Sequence, residues 1–210
     1  MKPIRLEIEG INSFSDRQVI DFRPLIKAGL FGIFGNTGRG KSTILDCIML
    51  ALYGRSEKGQ KGDFVNVKKW KGRVVFQFET REEGKNVLYE VVREFPLKEN
   101  REAKVASAVL YREENGAKCA VEEGMNRVSE RLNAIIGLSY EDFKKCIVLP
   151  QGEFDRFVKS PRRDRLDIVG RLFSLDRYGF QLQDRVQQRW GKLKGEIDQI
   201  DAEYRFYEDY

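Results

Sequence analysis

The chain of 210 residues contains no histidine, which excludes an imidazole base, a Ser–His triad and a histidine metal site. Its three cysteines, Cys47, Cys119 and Cys146, lie far apart with no C-x-x-C among them. An odd number without framework spacing argues against a disulfide scaffold and a zinc site, and it suits a reducing compartment. Long apolar runs are also missing. The longest is broken by Asp46, and Met1-Lys2-Pro3-Ile4-Arg5 has no signal-peptide core. These absences set the expectation of a soluble, cytoplasmic protein with no membrane partner.

Charge of either sign is plentiful. Charged residues make up 34% of the chain and hydrophobic ones 41%, as in a globular protein with a highly charged extension. The net charge of +5 is compatible with a nucleic-acid partner but too mild to argue for one by itself.

What the chain does have is Gly35-Asn36-Thr37-Gly38-Arg39-Gly40-Lys41-Ser42, which fits the P-loop or Walker A pattern G-x-x-x-x-G-K-[ST]. Before it, Gly29-Leu30-Phe31-Gly32-Ile33-Phe34 has the length and content of a buried strand. After it, Thr43 to Tyr53 is a helix-length run, apolar around most of its circumference. Glycines let the backbone curl so that successive N–H groups point at phosphate oxygens, and the loop opens into a helix N-terminus. Lys41 is expected to reach the β- and γ-phosphates, Ser42 to ligate Mg²⁺, and Thr43 to offer a hydroxyl to the α-phosphate. A glycine-rich turn before a core helix is the plainer alternative, but strand, loop and helix stand in the order a nucleoside triphosphate site needs.

Along the rest of the chain, Ile4, Leu6 and Ile8 alternate with charged residues as a half-buried strand, and Gln18–Phe22 reads as a second. Strands are predicted at Val74–Glu79 and Val87–Phe95 with a polar hairpin loop between, then at Val105–Tyr111 and near Cys119–Val121. Four such strands in succession signal an antiparallel sheet beside the nucleotide-binding unit. Helices follow: Glu122–Ile136, a capped start at Ser139-Tyr140-Glu141-Asp142, and another beginning at Ser160-Pro161. Trp190, Leu193, Ile197, Ile200, Tyr204 and Tyr207 then form a short heptad seam with charged flanks. That seam fits either the start of a coiled coil or one amphipathic helix docked on its own domain.

Ile147-Val148-Leu149 reads as a short buried strand broken by Pro150-Gln151-Gly152. Taken alone it is a turn, but well downstream of a P-loop it suggests a Q-loop. A neutral amide is a hard-oxygen Mg²⁺ ligand that can also orient an attacking water. Basic residues cluster at Lys58, Lys61, Lys68, Lys69, Lys71 and Arg73, and again at Arg156, Lys159, Arg162, Arg163, Arg165 and Arg171. Surface cations count as phosphate contacts only where they converge, so no DNA contact is assigned.

With these residues in view, the chain resembles the N-terminal half of the SbcC family, the bacterial branch of the SMC-like DNA-repair ATPases. The resemblance rests on Asn12-Ser13-Phe14, Ile20-Asp21-Phe22, the P-loop with Ser42-Thr43, Leu45-Asp46 through Gly54, Phe76-Gln77-Phe78-Glu79 and Tyr89-Glu90-Val91-Val92-Arg93. Leu149-Pro150-Gln151-Gly152-Glu153-Phe154 is the most telling, because general P-loop enzymes lack it.

The resemblance implies an α/β fold of the ABC/SMC-type P-loop NTPases, with a mixed parallel core sheet, an antiparallel sheet, and a C-terminal helix starting a coiled coil. It divides the chain into an N-terminal lobe of the ATPase head, 1–175, and a coiled-coil base, 176–210. It implies ATP and Mg²⁺ as cofactors, with Gly35, Asn36, Thr37, Gly38, Arg39, Gly40, Lys41, Ser42 and Thr43 on the phosphates. Ser42 and Gln151 would ligate the metal, Lys41 and Gln151 would carry catalysis, and the loop Val65-Asn66-Val67 would touch the nucleotide. Related heads often place an Arg or Lys beside the phosphates where this chain has Asn12. Asn36 and Arg39 also depart from commoner residues.

The signature serine, Walker B aspartate and catalytic glutamate of this family lie in the C-terminal half of the head. Neither S-G-G nor an apolar run ending in Asp-Glu occurs here. The implied partners are that C-terminal half, a second head in an ATP-bound homodimer, an SbcD-type nuclease and double-stranded DNA. An ABC transporter ATPase subunit or a stand-alone P-loop kinase or GTPase is the alternative. A GTPase would need an N-K-x-D base reader, which is absent.

Overall fold

The computed structural model describes residues 1–36, 38–56, 63–82, 84–114, 116–144, 161–163, 170 and 180–208. It divides into two compact units, residues 1–141 and 142–210. The sequence-based boundary between 175 and 176 falls outside the described residues.

In the first unit, strands β1 (Lys2–Glu9), β2 (Gln18–Asp21), β3 (Lys71–Glu82), β4 (Lys85–Pro96), β5 (Ser107–Glu114) and β6 (Ala117–Glu123) form one sheet. Its order is β2-β1-β3-β4-β5-β6. Every pairing in it is antiparallel. The expected antiparallel sheet is therefore present, and β1 and β2 belong to it instead of to a separate core. A short helix α1 (Arg23–Lys27) follows β2, and α2 (Lys41–Tyr53) follows the P-loop. Helix α3 (Met125–Ile136) follows β6, and α4 (Tyr140–Phe143) is one turn.

Period-two alternation decides which face is core. In β4, Val87, Tyr89, Val91, Arg93 and Phe95 are all buried while their neighbours are half-exposed. Leu6 and Ile8 of β1, Phe76 and Phe78 of β3, and Leu110 of β5 are fully buried. The helix side contributes Cys47, Leu50, Ala51 and Leu52 from α2, with Val128 and Leu132 from α3. Helix α2 ends at Gly54, whose φ of +67° allows its N–H to reach the Leu50 carbonyl at 2.9 Å. The Tyr53 hydroxyl donates to the Leu138 carbonyl at 3.1 Å, tying that end of α2 to the chain beyond α3.

Three local expectations shift. The run Gly29–Phe34 is not a strand: it has no ladder partner among the described residues, and Leu30 and Phe34 are 88% and 93% exposed. Apolar content shows what a segment would bury, but a buried strand also needs a neighbouring strand and cover on both faces. No described strand lies alongside it, so the parallel core is not seen among the described residues. The strand expected from Val105 starts at Ser107, with Val105 93% exposed. The helix expected from Glu122 starts at Met125, because Glu122 and Glu123 pair with Leu110 and Val109 in the sheet.

In the second unit, α5 (Phe180–Glu208) is one helix of 29 residues. Trp190, Leu193, Ile197, Ile200 and Tyr204 are 49–71% exposed. The helix expected from Ser160-Pro161 and the strand Ile147–Leu149 lie outside the described residues, apart from 161–163 and 170.

Candidate functional site

The site begins where β1 ends. After Gly10 the chain turns through Ile11–Phe14, held by Ile11 N–H to the Phe14 carbonyl at 3.0 Å and the reverse bond at 2.8 Å. Asn12 sits in this turn with φ of +45°, a conformation asparagine tolerates better than most residues. The two residues after it meet the P-loop. The Ser13 hydroxyl donates to the Gly38 carbonyl at 3.2 Å. The Phe14 ring lies so close to Gly40 that an added Cβ there would meet ring carbons at 2.8 and 3.0 Å.

Gly40 has φ of +86° and caps α2 with no side-chain hydrogen bond, and no acid stands in the first turn of that helix. The positive dipole end of the helix is therefore uncancelled by local carboxylates. Lys41 is the first residue of α2, and its ammonium donates to the carbonyls of Gly35 at 2.5 Å and Asn36 at 2.7 Å. The Asn36 carbonyl also accepts from the Arg39 N–H at 3.4 Å. Gly35, Asn36, Gly38 and Arg39, together with Ser42, are exposed, whereas Thr43 is only 4% exposed. Thr37 and Gln151 lie outside the described residues.

The loop Val65-Asn66-Val67 belongs to the same construction, a relationship that separate sequence signals did not reveal. Val65 is buried and bridges Ile11, and the Asn12 N–H donates to the Phe64 carbonyl at 2.8 Å. Asn66 is the hub: its N–H reaches the Gly10 carbonyl at 2.9 Å and its Nδ2 the Asn12 carbonyl at 2.5 Å. Its Oδ1 accepts from the Lys68 N–H at 2.9 Å. Val67 stands 80% exposed. Asn12 Nδ2 is buried with no partner among the described residues. Asn12, the P-loop and the 65–67 loop thus form one continuous hydrogen-bonded surface.

Sequence reasoning missed Arg101. From the loop between β4 and β5 its guanidinium donates to the carbonyls of Val67 at 3.0 Å, Asn66 at 3.1 Å and Lys69 at 3.4 Å. It also lies 5.2 Å from the centre of the Trp70 ring. Its one sequence signal is an arginine after Glu99-Asn100 in a turn, which says nothing about a loop more than thirty residues earlier.

Three of the four described members of the first basic cluster are in ion pairs. Lys69 pairs with Asp16 at 3.4 Å, and Lys71 and Arg73 both pair with Glu94, at 3.0 and 3.4 Å. That favours the solvated-face reading for these residues; Lys58 and Lys61 lie outside the described set. Among the described residues no group of three or more His, Cys, Asp or Glu could hold a metal. No described helix is long and apolar enough to cross a membrane.

Comparison with known proteins agrees with the motif. The chain is 40% identical over 212 residues to the SbcC subunit of the nuclease SbcCD of Clostridium acetobutylicum, covering 100% of this chain and 18% of that protein. It is 35% identical to the SbcC subunit of the Bacillus subtilis nuclease, covering 97% of this chain and 18% of that protein. It is 33% identical to a probable DNA double-strand break repair Rad50 ATPase of Aquifex aeolicus, covering 100% of this chain and 20% of that protein. The chain therefore spans about a fifth of the length of these curated relatives. Among solved structures, the SMC head domain from Thermotoga maritima matches at TM-score 0.38 and 23% identity, over 65% of this chain and 43% of that one. The family described as AAA domain matches residues 5–209, so the chain, similar throughout its length to SbcC proteins, belongs to the AAA domain family.

Proposed function

We propose that this chain is the ATP-binding N-terminal part of an SbcC-type, SMC-like ATPase head. The observation that carries the reading is the P-loop itself. Lys41, the Gly40 cap and an acid-free first turn of α2 stand together, next to a hydrogen-bonded turn and loop. This donor set suits a polyphosphate. Lys41 exchanges its carbonyl partners for phosphate oxygens, and the first N–H groups of α2 complete the cradle. Ser42 and Gln151 hold Mg²⁺, which neutralises phosphate charge when bound.

Turnover belongs to the assembled head, because the groups that complete ABC-type catalysis are missing from these residues. Two features support a mate: the exposed apolar run at Leu30, Phe31, Ile33 and Phe34, and the uncovered seam of α5. The C-terminal half of the same head covers both, and α5 is the base of an ascending coiled coil. In the whole protein, ATP-driven head dimerisation couples to double-stranded DNA and to an SbcD-type nuclease in cytoplasmic DNA end processing.

The chain alone is expected to bind ATP–Mg²⁺ and hydrolyse almost none. Adding a separately made C-terminal half restores hydrolysis, and DNA stimulates it. Brisk hydrolysis by the isolated chain, or a preference for GTP, would overturn the reading.

A further inference from the structure

We infer that Arg101 is a positioning residue that sets the nucleotide-facing shape of the Asn66–Lys69 loop. The inference rests on the proposal that this loop touches the nucleotide, and it adds the side chain that holds it. Asn66 anchors the loop on its inner side, through the carbonyls of Gly10 and Asn12. Within the loop the Asn66 carbonyl accepts the Lys69 N–H at 2.9 Å, and it shares with the carbonyls of Val67 and Lys69 a further partner from outside the loop. Arg101 gathers all three with two nitrogens of one planar group. A lysine is a point charge on a flexible stem and cannot match three carbonyls in that fixed geometry.

The backbone supports a role beyond the local turn. Arg101 has φ of +63° in a tight loop closed by its own N–H to the Lys98 carbonyl and by the Leu97–Ala103 bridge. That conformation suits Gly or Asn and disfavours a long side chain. Arginine is the costlier choice for the turn, and its guanidinium is what the neighbouring loop uses. Trp70, 55% exposed, backs the guanidinium from the loop's far end.

The test compares ATP with inorganic tripolyphosphate as ligands of the 210-residue chain with Mg²⁺, using displacement of a fluorescent ATP analogue. Arg101→Asn keeps a residue that accepts the turn, so melting temperature should hold. Its ATP affinity is expected to fall about five- to tenfold with tripolyphosphate affinity unchanged. Arg101→Lys should fail to restore it, and Asn66→Ala should show the same ATP-selective loss. Unchanged ATP affinity in Arg101→Asn alongside a loss in Asn66→Ala would overturn the role of Arg101. So would an equal loss for both ligands, or full rescue by lysine. If Asn66→Ala also binds ATP normally, the loop does not touch nucleotide and the underlying proposal falls with it. Lys41→Ala must lose both ligands; if it does not, the P-loop reading itself is wrong.

Discussion

Arg93 Nε donates to the carbonyl of Ala51 at 2.7 Å, across 42 residues of sequence, from a side chain that is 0% exposed. The same guanidinium donates to the Leu52 carbonyl at 3.0 Å and to the Ser129 hydroxyl at 3.0 Å. It therefore joins the last turn of α2 to both β4 and α3. The carbonyls there are ones a helix end leaves without internal partners, and a cation suits that end of the dipole. Desolvation pulls the guanidinium pKa down to about 10, so it remains charged at neutral pH. No ion pair of a described carboxylate with Arg93 accompanies these bonds, which makes the carbonyls its compensation.

Arg93→Met is expected to destabilise the fold by about 2–4 kcal/mol, because the Ala51 and Leu52 carbonyls are left buried and unpaired. Urea denaturation of the isolated chain measures it. A change within ~0.5 kcal/mol, the usual range of surface substitutions, would show that the end of α2 is held by other means.

Gly40→Ala should deform the phosphate loop. A side chain at φ of +86° is strained by about 1–2 kcal/mol, and the new methyl also meets the Phe14 ring at 2.8 Å. Nucleotide affinity should drop, and the double variant Gly40→Ala/Phe14→Leu should recover part of it. Failure of the second change to help would separate the backbone conformation from the ring contact.

Gln151→Ala is expected to leave nucleotide binding largely intact while impairing hydrolysis and head engagement after the complementary half is added. Equal turnover in variant and wild type would remove the Q-loop assignment.

Asp21 carries a pH-dependent contribution of known sign. The Arg23 side chain, then the Arg23 N–H, hydrogen-bond its carboxylate and lower its pKa from 3.8 to about 2. A depressed folded pKa means the contribution is complete above about pH 4 and is lost as pH falls toward 2. The pair is exposed, so its effect is small. Thermal melts of wild type and Asp21→Asn between pH 5 and 2 should converge at the acid end; a gap that widens on acidification would refute the assignment.

Much of the candidate site's local structure was legible because short-range rules governed it. The P-loop needs glycines, a lysine and a hydroxyl at fixed spacing, and α2 needs only an apolar run between two glycines. Strands β3 and β4 were readable from alternation, and Arg93 even stands in an inward slot of that alternation. The chemistry of an inward arginine was not readable, since its partners lie on α2 and α3. Asn12 and Val65–Val67 were named separately from a resemblance, with no indication that one side chain ties them together. The strand expected at Gly29–Phe34 failed for the complementary reason: its composition was right, but pairing is a property of the neighbour.

By itself, then, the amino-acid order determined the glycine-rich P-loop pattern, the helix that follows it, the inward faces of the strands and the apolar spacing along α5. Each depends on spacing within one segment, where steric and periodic constraints act over a few residues. Only the tertiary structure decided that six strands share one antiparallel sheet, that Asn66 meets Asn12, and that Arg101 and Arg93 reach carbonyls far away in sequence. Those contacts are made by long side chains across elements, and local periodicity carries no information about which distant backbone group each one meets.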